Sequence, residues 1–161
     1  MIRILSCIIL TFLIGYSCKS QEQDSLLTLT HRDSISIFAR EFLGTPYKYA
    51  TQDPKVGFDC SGFVNYVFTH FNYKVPRISR LFDGIGPEVT EKNARISDII
   101  LFTGTKVNDP TIGHIGIIIE NNEHGIFFIH ASSGKNVGVI ISPLEGYYRK
   151  RFVKIISIAR N

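Results

Sequence analysis

Cys60, His114 and His130 are three residues of this chain whose types suit acyl transfer. That chemistry needs a thiol nucleophile, an imidazole to take its proton, and a second polar group to fix which ring nitrogen faces the sulfur. Cys60 opens an apolar stripe with Phe63, Val64, Val67, Phe68 and Phe71, the i, i+3, i+4, i+7 rhythm of a helix that starts at the cysteine. A thiol in a first helical turn meets unpaired N–H groups and the positive end of the helix dipole. It is therefore expected to ionise more easily than a free thiol. On position alone, a cysteine on an apolar stripe is ordinarily an inert small hydrophobe. The two histidines weigh against that reading.

The histidines fall in residues 114–119 and 126–131, two β-branched or aromatic runs joined by the turn-forming residues 121–125. Paired residues in an antiparallel hairpin share a face, and faces alternate along each strand. Any register in which partner numbers sum to an even value, such as 244 or 246, puts His114 and His130 on one face. An odd sum separates them. The same three residues could serve as zinc ligands, but no C-x-x-C, H-x-x-x-H or H-E-x-x-H spacing accompanies them. No metal or other cofactor is expected. His31, His70 and His124 fall in a tether, a helix end and a turn, and are read as solvated.

The elements that must hold these residues follow from the same patterning. Asp33 can cap a helix whose apolar face is Ile35, Phe38, Ala39, Phe42 and Leu43, stopped by Gly44 and Pro46. A loop over residues 47–57 leads into the Cys60 helix, which ends near Asn72. Residues 76–86 read as a loop with room for one helical turn. From Asp98 onward come five short strand-like runs, at residues 99–102, 114–119, 126–131, 137–141 and 152–159. Helices followed by strands predict an α+β domain with an antiparallel sheet packed on helices.

At 161 residues and 44% hydrophobic content, the chain can bury one proper core and is too short for two ordinary domains. The domain is expected over residues 33–161. Residues 1–17 have the layout of an export signal, with Arg3 followed by a short apolar run over 4–16. Gly15 and Ser17 directly before Cys18 resemble a bacterial lipobox, which would make Cys18 the lipidated N-terminus; ordinary secretion is the alternative. Residues 18–32, rich in Ser, Gln and Thr, would then form a flexible tether. With Cys7 removed and Cys18 acylated, Cys60 is left alone, which favours catalysis over a disulfide. A formal net charge of +4 without a basic, aromatic-interleaved run argues against a nucleic-acid partner.

The motifs Asp59-Cys60-Ser61-Gly62-Phe63, Gly113-His114-Ile115-Gly116-Ile117 and Phe128-Ile129-His130-Ala131 resemble, in order and spacing, those of the NlpC-type family of bacterial cell-wall cysteine peptidases. The resemblance extends to residues 44–47, 75–79, 97–98 and 148–152. It implies a papain-like fold and hydrolysis of murein stem peptides, commonly between D-glutamate and the adjoining diamino acid or at a cross-link. Carried over position by position, Cys60 is the nucleophile, His114 the base and His130 the orienting residue. Tyr47 joins the Cys60 N–H in holding the oxyanion, with Tyr49 as a rival. Asp59 matches a position that binds a substrate amine and also sits where a helix cap belongs; Ser61 matches another amine-binding position. Ser79 is a further candidate substrate contact, with a plain loop role as the alternative.

The sequence departs from the family pattern at Ala50-Thr51 in place of two glycines, Phe82 for glutamine, and Ser97 and Glu120 for glycines. These changes are read as flanking the groove. Three functional classes follow: a lipid-anchored murein peptidase, an acyltransferase or amidase on the same scaffold, and a non-catalytic wall-binding lipoprotein. Cysteine before both histidines, with none of the three lost, favours the peptidase. The partners expected are peptidoglycan stem peptides and, through Cys18, a membrane, with the chain a monomer. Lys19-Ser20 after Cys18 points to the outer membrane, facing the periplasm.

Overall fold

The computed structural model describes residues 29–105, 109–134 and 138–160. The expected export signal, the greater part of the tether and Cys18 lie outside these residues. The chain separates into Met1–Thr30 and His31–Asn161, and the fold described is that of the second unit.

Helix α1 spans His31–Arg40 and buries Ile35 and Ala39 completely. It starts three residues earlier than a cap at Asp33 would give, so Asp33 lies inside the first turn and is not the cap. Its carboxylate is still at the positive end of the dipole, where a negative charge is favourable. Helix α2 spans Cys60–His70 and buries Phe63, Val64, Val67 and Phe68. Asp59 is its cap: extended at φ −85° and ψ 172°, it accepts the Gly62 N–H at 2.6 Å. Ahead of α2, β1 (Gln52–Asp53) and β2 (Gly57–Phe58) pair as a minimal hairpin. Residues 79–82 form the single 3-10 turn that the 76–86 loop had room for.

The remaining strands are β3 (Glu88–Val89), β4 (Ile99–Thr103), β5 (Ile112–Asn122), β6 (Gly125–Ala131), β7 (Val139–Pro143) and β8 (Phe152–Ile156). They form one antiparallel sheet in the order β3-β8-β4-β5-β6-β7. A four-residue helix, α3 (Gly146–Arg149), lies between β7 and β8. Alternation along the strands makes two cores. Ile99, Leu101, Ile115, Ile117 and Ile129 face α1 and α2. Ile100, Phe102, Ile118, Phe128 and Ile155 face the other way, against Leu144, Tyr148 and Phe152. The domain is α+β, as expected.

The β5–β6 register changes partway along. Near the turn, Asn122 pairs with Gly125, Asn121 with Ile126 and Glu120 with Phe127, so the numbers sum to 247. Beyond a bulge at Ile119, Ile118 pairs with Phe128 and Ile117 with Ile129, and the sum is 246. The odd register at the turn would have put the histidines on opposite faces. The bulge restores the even one before the strands reach them.

Helix α1 is fastened to the sheet by a buried ion pair. Arg32 donates to Asp98 at 2.8 Å, to the Ile96 and Ala159 carbonyls at 2.9 and 2.6 Å, and to Ser157 Oγ at 2.8 Å. Ser97, next to Asp98, holds φ +66° and donates its hydroxyl to the Arg32 carbonyl at 2.6 Å. Left-handed backbone explains why glycine suits positions 97 and 50, since Ala50 stands at φ +59°. The expectation that the family departures all flank the groove needs correction. Phe82 is fully buried in the helix-side core, Ser97 is buried beneath Arg32, and Glu120 is an exposed partner of Arg40.

Candidate active site

Helix α2, the start of β5 and the end of β6 bring Cys60, His114 and His130 to one region. Cys60 Sγ lies 3.9 Å from the Gly113 carbonyl, and the backbone N–H groups of Ser61, Ile115 and Cys60 itself favour a charged sulfur. His114, between Gly113 and Ile115, lines the same hollow as Cys60. Its Nε2 is 2.9 Å from His130 Nδ1, with the two rings nearly perpendicular at 87°. His130 is fully buried, and its Nε2 lies 3.0 Å from Ser142 Oγ. Gly116 makes this crowding possible, because a Cβ there would come within 2.7 Å of the Phe128 ring and 3.2 Å of His130 Cβ. Tyr148 covers both imidazoles, stacked on His114 and edge-on to His130.

Two hollows flank Cys60, and Tyr47, Cys60 and Gly113 line both. One, of about 580 Å³, includes His114, Tyr147, Tyr148 and Arg151. The other, of about 460 Å³, includes Tyr49, Asp59, Ser61, Arg77 and Ser79. Tyr47 is placed by a parallel bridge to Phe58, two residues before Cys60. Burial, then the nearby Cys60 and Asp59, pushes its hydroxyl pKa up, so it remains a donor. Tyr49 is 82% exposed and lines only the smaller hollow.

Asp59 and Ser61 are engaged within the protein. Arg77 grips Asp59 with a two-pronged bond of 2.8 and 2.7 Å and reaches Ser61 Oγ at 3.2 Å, while Ser61 Oγ lies 3.2 Å from Asp59. Both oxygens of the Asp59 carboxylate are thus occupied by the cap and the clamp. Ser79 is weakly tied, with Oγ 3.5 Å from the Ile112 carbonyl. His31 and His70 are exposed yet packed on rings, His31 against Phe71 and Tyr73, His70 stacked on Phe38 at 3.9 Å.

The electrostatics correct one expectation. Burial, with a smaller push from the Asp59 carboxylate, raises the Cys60 pKa; the three backbone N–H groups oppose this without reversing it. Burial and then the Arg151 cation lower His114 to about 3. Burial, His114 and Arg151 lower His130 to about 2. The resting site is therefore a thiol beside neutral imidazoles, suited to proton transfer during attack.

Sequence patterning did not single out Ser142 or Arg77. Arg77 lies within a motif, but its clamp on Asp59 spans 18 positions. Ser142 pairs with Phe128 in β7 and so shares the His130 face, a lone hydroxyl on an otherwise apolar row. That oddity was the available signal.

A helix-borne cysteine set against histidines of an antiparallel sheet defines a papain-like cysteine hydrolase fold. The NlpC/P60 family profile matches residues 44–157, and the chain belongs to that family. It is 39% identical over 100 residues to the murein DD-endopeptidase MepS/murein LD-carboxypeptidase of Escherichia coli K12, covering 61% of this chain and 48% of that protein. It is 32% identical over 102 residues to the bifunctional muramidase/DL-endopeptidase CwlT of Bacillus subtilis, covering 60% of this chain and 31% of that protein. The chain thus spans half or less of the length of these relatives. An NlpC/P60 family structure from Bacillus cereus superposes with a TM-score of 0.69 at 23% identity, covering 81% of this chain and 41% of that one. That likeness supports the fold.

Proposed function

We propose that this chain is an exported peptidoglycan endopeptidase that cleaves stem peptides through Cys60, His114 and His130. The bond cut lies between D-glutamate and the diamino acid or at a cross-link. The observation that carries this reading is the hydrogen-bonded run from Ser142 through His130 to His114, ending at the hollow that holds Cys60.

For His114 Nδ1 to accept the thiol proton, Nε2 must carry hydrogen and donate to His130 Nδ1. His130 then holds its own proton on Nε2 and donates to Ser142 Oγ. Cys60 sulfur attacks the carbonyl carbon as its proton passes to His114, and the Cys60 N–H and the Tyr47 hydroxyl stabilise the oxyanion. His114 returns the proton to the nitrogen, the C–N bond breaks and the amine departs. Water, deprotonated by His114, then releases the acid from the thioester and restores the thiol. In this reading Asp59 and Ser61 shape the acyl-side hollow through Arg77, and Ser79 contacts substrate at its rim.

Cys18 would be lipidated and hold a monomer at the outer membrane, facing the periplasm, with no nucleic-acid partner. The test is mass spectrometry of soluble products after incubation with murein and with isolated stem peptides, using the protein and its Cys60→Ala variant. Products that require the thiol are expected, and their masses name the bond. A folded protein that cuts neither substrate would overturn the reading.

A further inference from the structure

Because His114 must protonate the departing amine, the leaving half of the substrate lies in the hollow that contains His114, not in the one lined by Asp59 and Arg77. Among the described residues that line that hollow, the cation is Arg151. Its Nη2 donates to the Thr103 carbonyl at 2.6 Å, the guanidinium hydrogen bond found among the described residues. Its guanidinium lies over the Tyr147 ring, 4.7 Å from the centroid. Its Nε is buried and has no hydrogen-bond partner among the described residues. The backbone is held as well, with Thr103 N–H donating to the Arg151 carbonyl at 2.9 Å and Arg151 N–H to the Tyr148 carbonyl at 3.1 Å.

Arg32, Arg77 and Arg149 each close on a carboxylate, of Asp98, Asp59 and Glu91. Among the described residues no carboxylate pairs with Arg151. Asp109 also lines the hollow, with its Oδ1 accepting the Thr111 N–H at 2.9 Å. A guanidinium held in place at a cleft wall and closed on no carboxylate there is suited to receive a planar anion.

We infer that Arg151 binds a carboxylate on the amine-side half of the substrate and so selects the diamino acid. This rests on the peptidase reading above. A diaminopimelate residue carries a carboxylate beside its second amine; lysine, at the same place, carries none. A carboxylate seated on Arg151 would also offset the positive charge that Arg151 exerts on both histidines, the smaller of the influences that lower them, burial being the larger.

The test uses two synthetic stem peptides that differ in that one group, free carboxylate against carboxamide. With the full chain, kcat/KM is expected to be at least tenfold higher for the carboxylate, and Arg151→Gln should abolish that preference, bringing the two peptides to the same kcat/KM. Binding of both intact peptides to the Cys60→Ala protein, by calorimetry, should show a tenfold or greater preference without any turnover. Equal binding of the two peptides, or an undiminished preference in Arg151→Gln, overturns the inference. A binding preference without cleavage by the unaltered protein would sink the peptidase reading and leave the carboxylate site standing. Should Arg151→Gln fail to fold, the carboxylate and carboxamide comparison still decides, since it needs no change at Arg151.

Discussion

Ser142 is a small residue with a large lever. In the proposed mechanism its hydroxyl is the acceptor that keeps the His130 proton on Nε2, and that choice sets which nitrogen of His114 is free. Ser142→Ala would leave a buried N–H unpaired, a cost of about 1–3 kcal/mol that the site can escape by adopting the wrong tautomer. We expect kcat to fall roughly tenfold to a hundredfold with KM little changed. Ser142→Thr should recover most of the loss. Kinetics on a stem peptide, with melting curves to confirm folding, check this; a Ser142→Ala enzyme of full kcat would remove Ser142 from the mechanism. Cys60 carries a different lesson at the same scale. Its helix position speaks for an acidic thiol, but burial and Asp59 outweigh the N–H groups. Neither opposing influence can be weighed before the chain is folded.

At the scale of elements, periodicity reads long segments and fails on short ones. Both main helices and five sheet strands were legible because each repeats its pattern over several residues. The two-residue strands β1, β2 and β3 contain no period to read. The α1 start was misplaced because Asp33 suits a first turn as well as a cap. The cysteine and both histidines were legible through ordered motifs, whereas the Arg77 clamp and the Ser142 contact depend on distant segments meeting. The Arg32–Asp98 pair, with side chains 6% and 1% exposed, fixes α1 to the sheet and yields an element-scale prediction. Asp98→Asn strands the Arg32 charge and should cost about 3–5 kcal/mol in urea unfolding. Replacing both members by apolar residues, Arg32→Met with Asp98→Leu, should recover much of that. A single variant as stable as the parent would show that the pair fastens nothing.

Across the whole molecule, the two lowered histidines tie stability to pH. An unfolded imidazole binds a proton near pH 6.5, while folded His114 and His130 resist it down to about 3 and 2. Below pH 6.5 the unfolded chain therefore holds more protons, and folding stability falls as pH falls. The slope approaches about 1.4 kcal/mol per pH unit for each histidine. Melting temperature should thus decline from pH 6.5 toward pH 4, and less steeply in His130→Asn. A His130→Asn curve parallel to that of the unaltered protein would contradict the assignment.

The Ile119 bulge acts as a slip joint within this framework. Without Ile119, residues 118 and 120 would follow one another opposite Phe128 and Phe127, and every partner nearer the histidines would stay as it is. The tip of the hairpin and its histidine-bearing end can consequently drift in length independently, so long as the joint absorbs the odd residue. Insertions and deletions at the tip are then open to selection for surface contacts, while the imidazoles keep their bearing on Cys60.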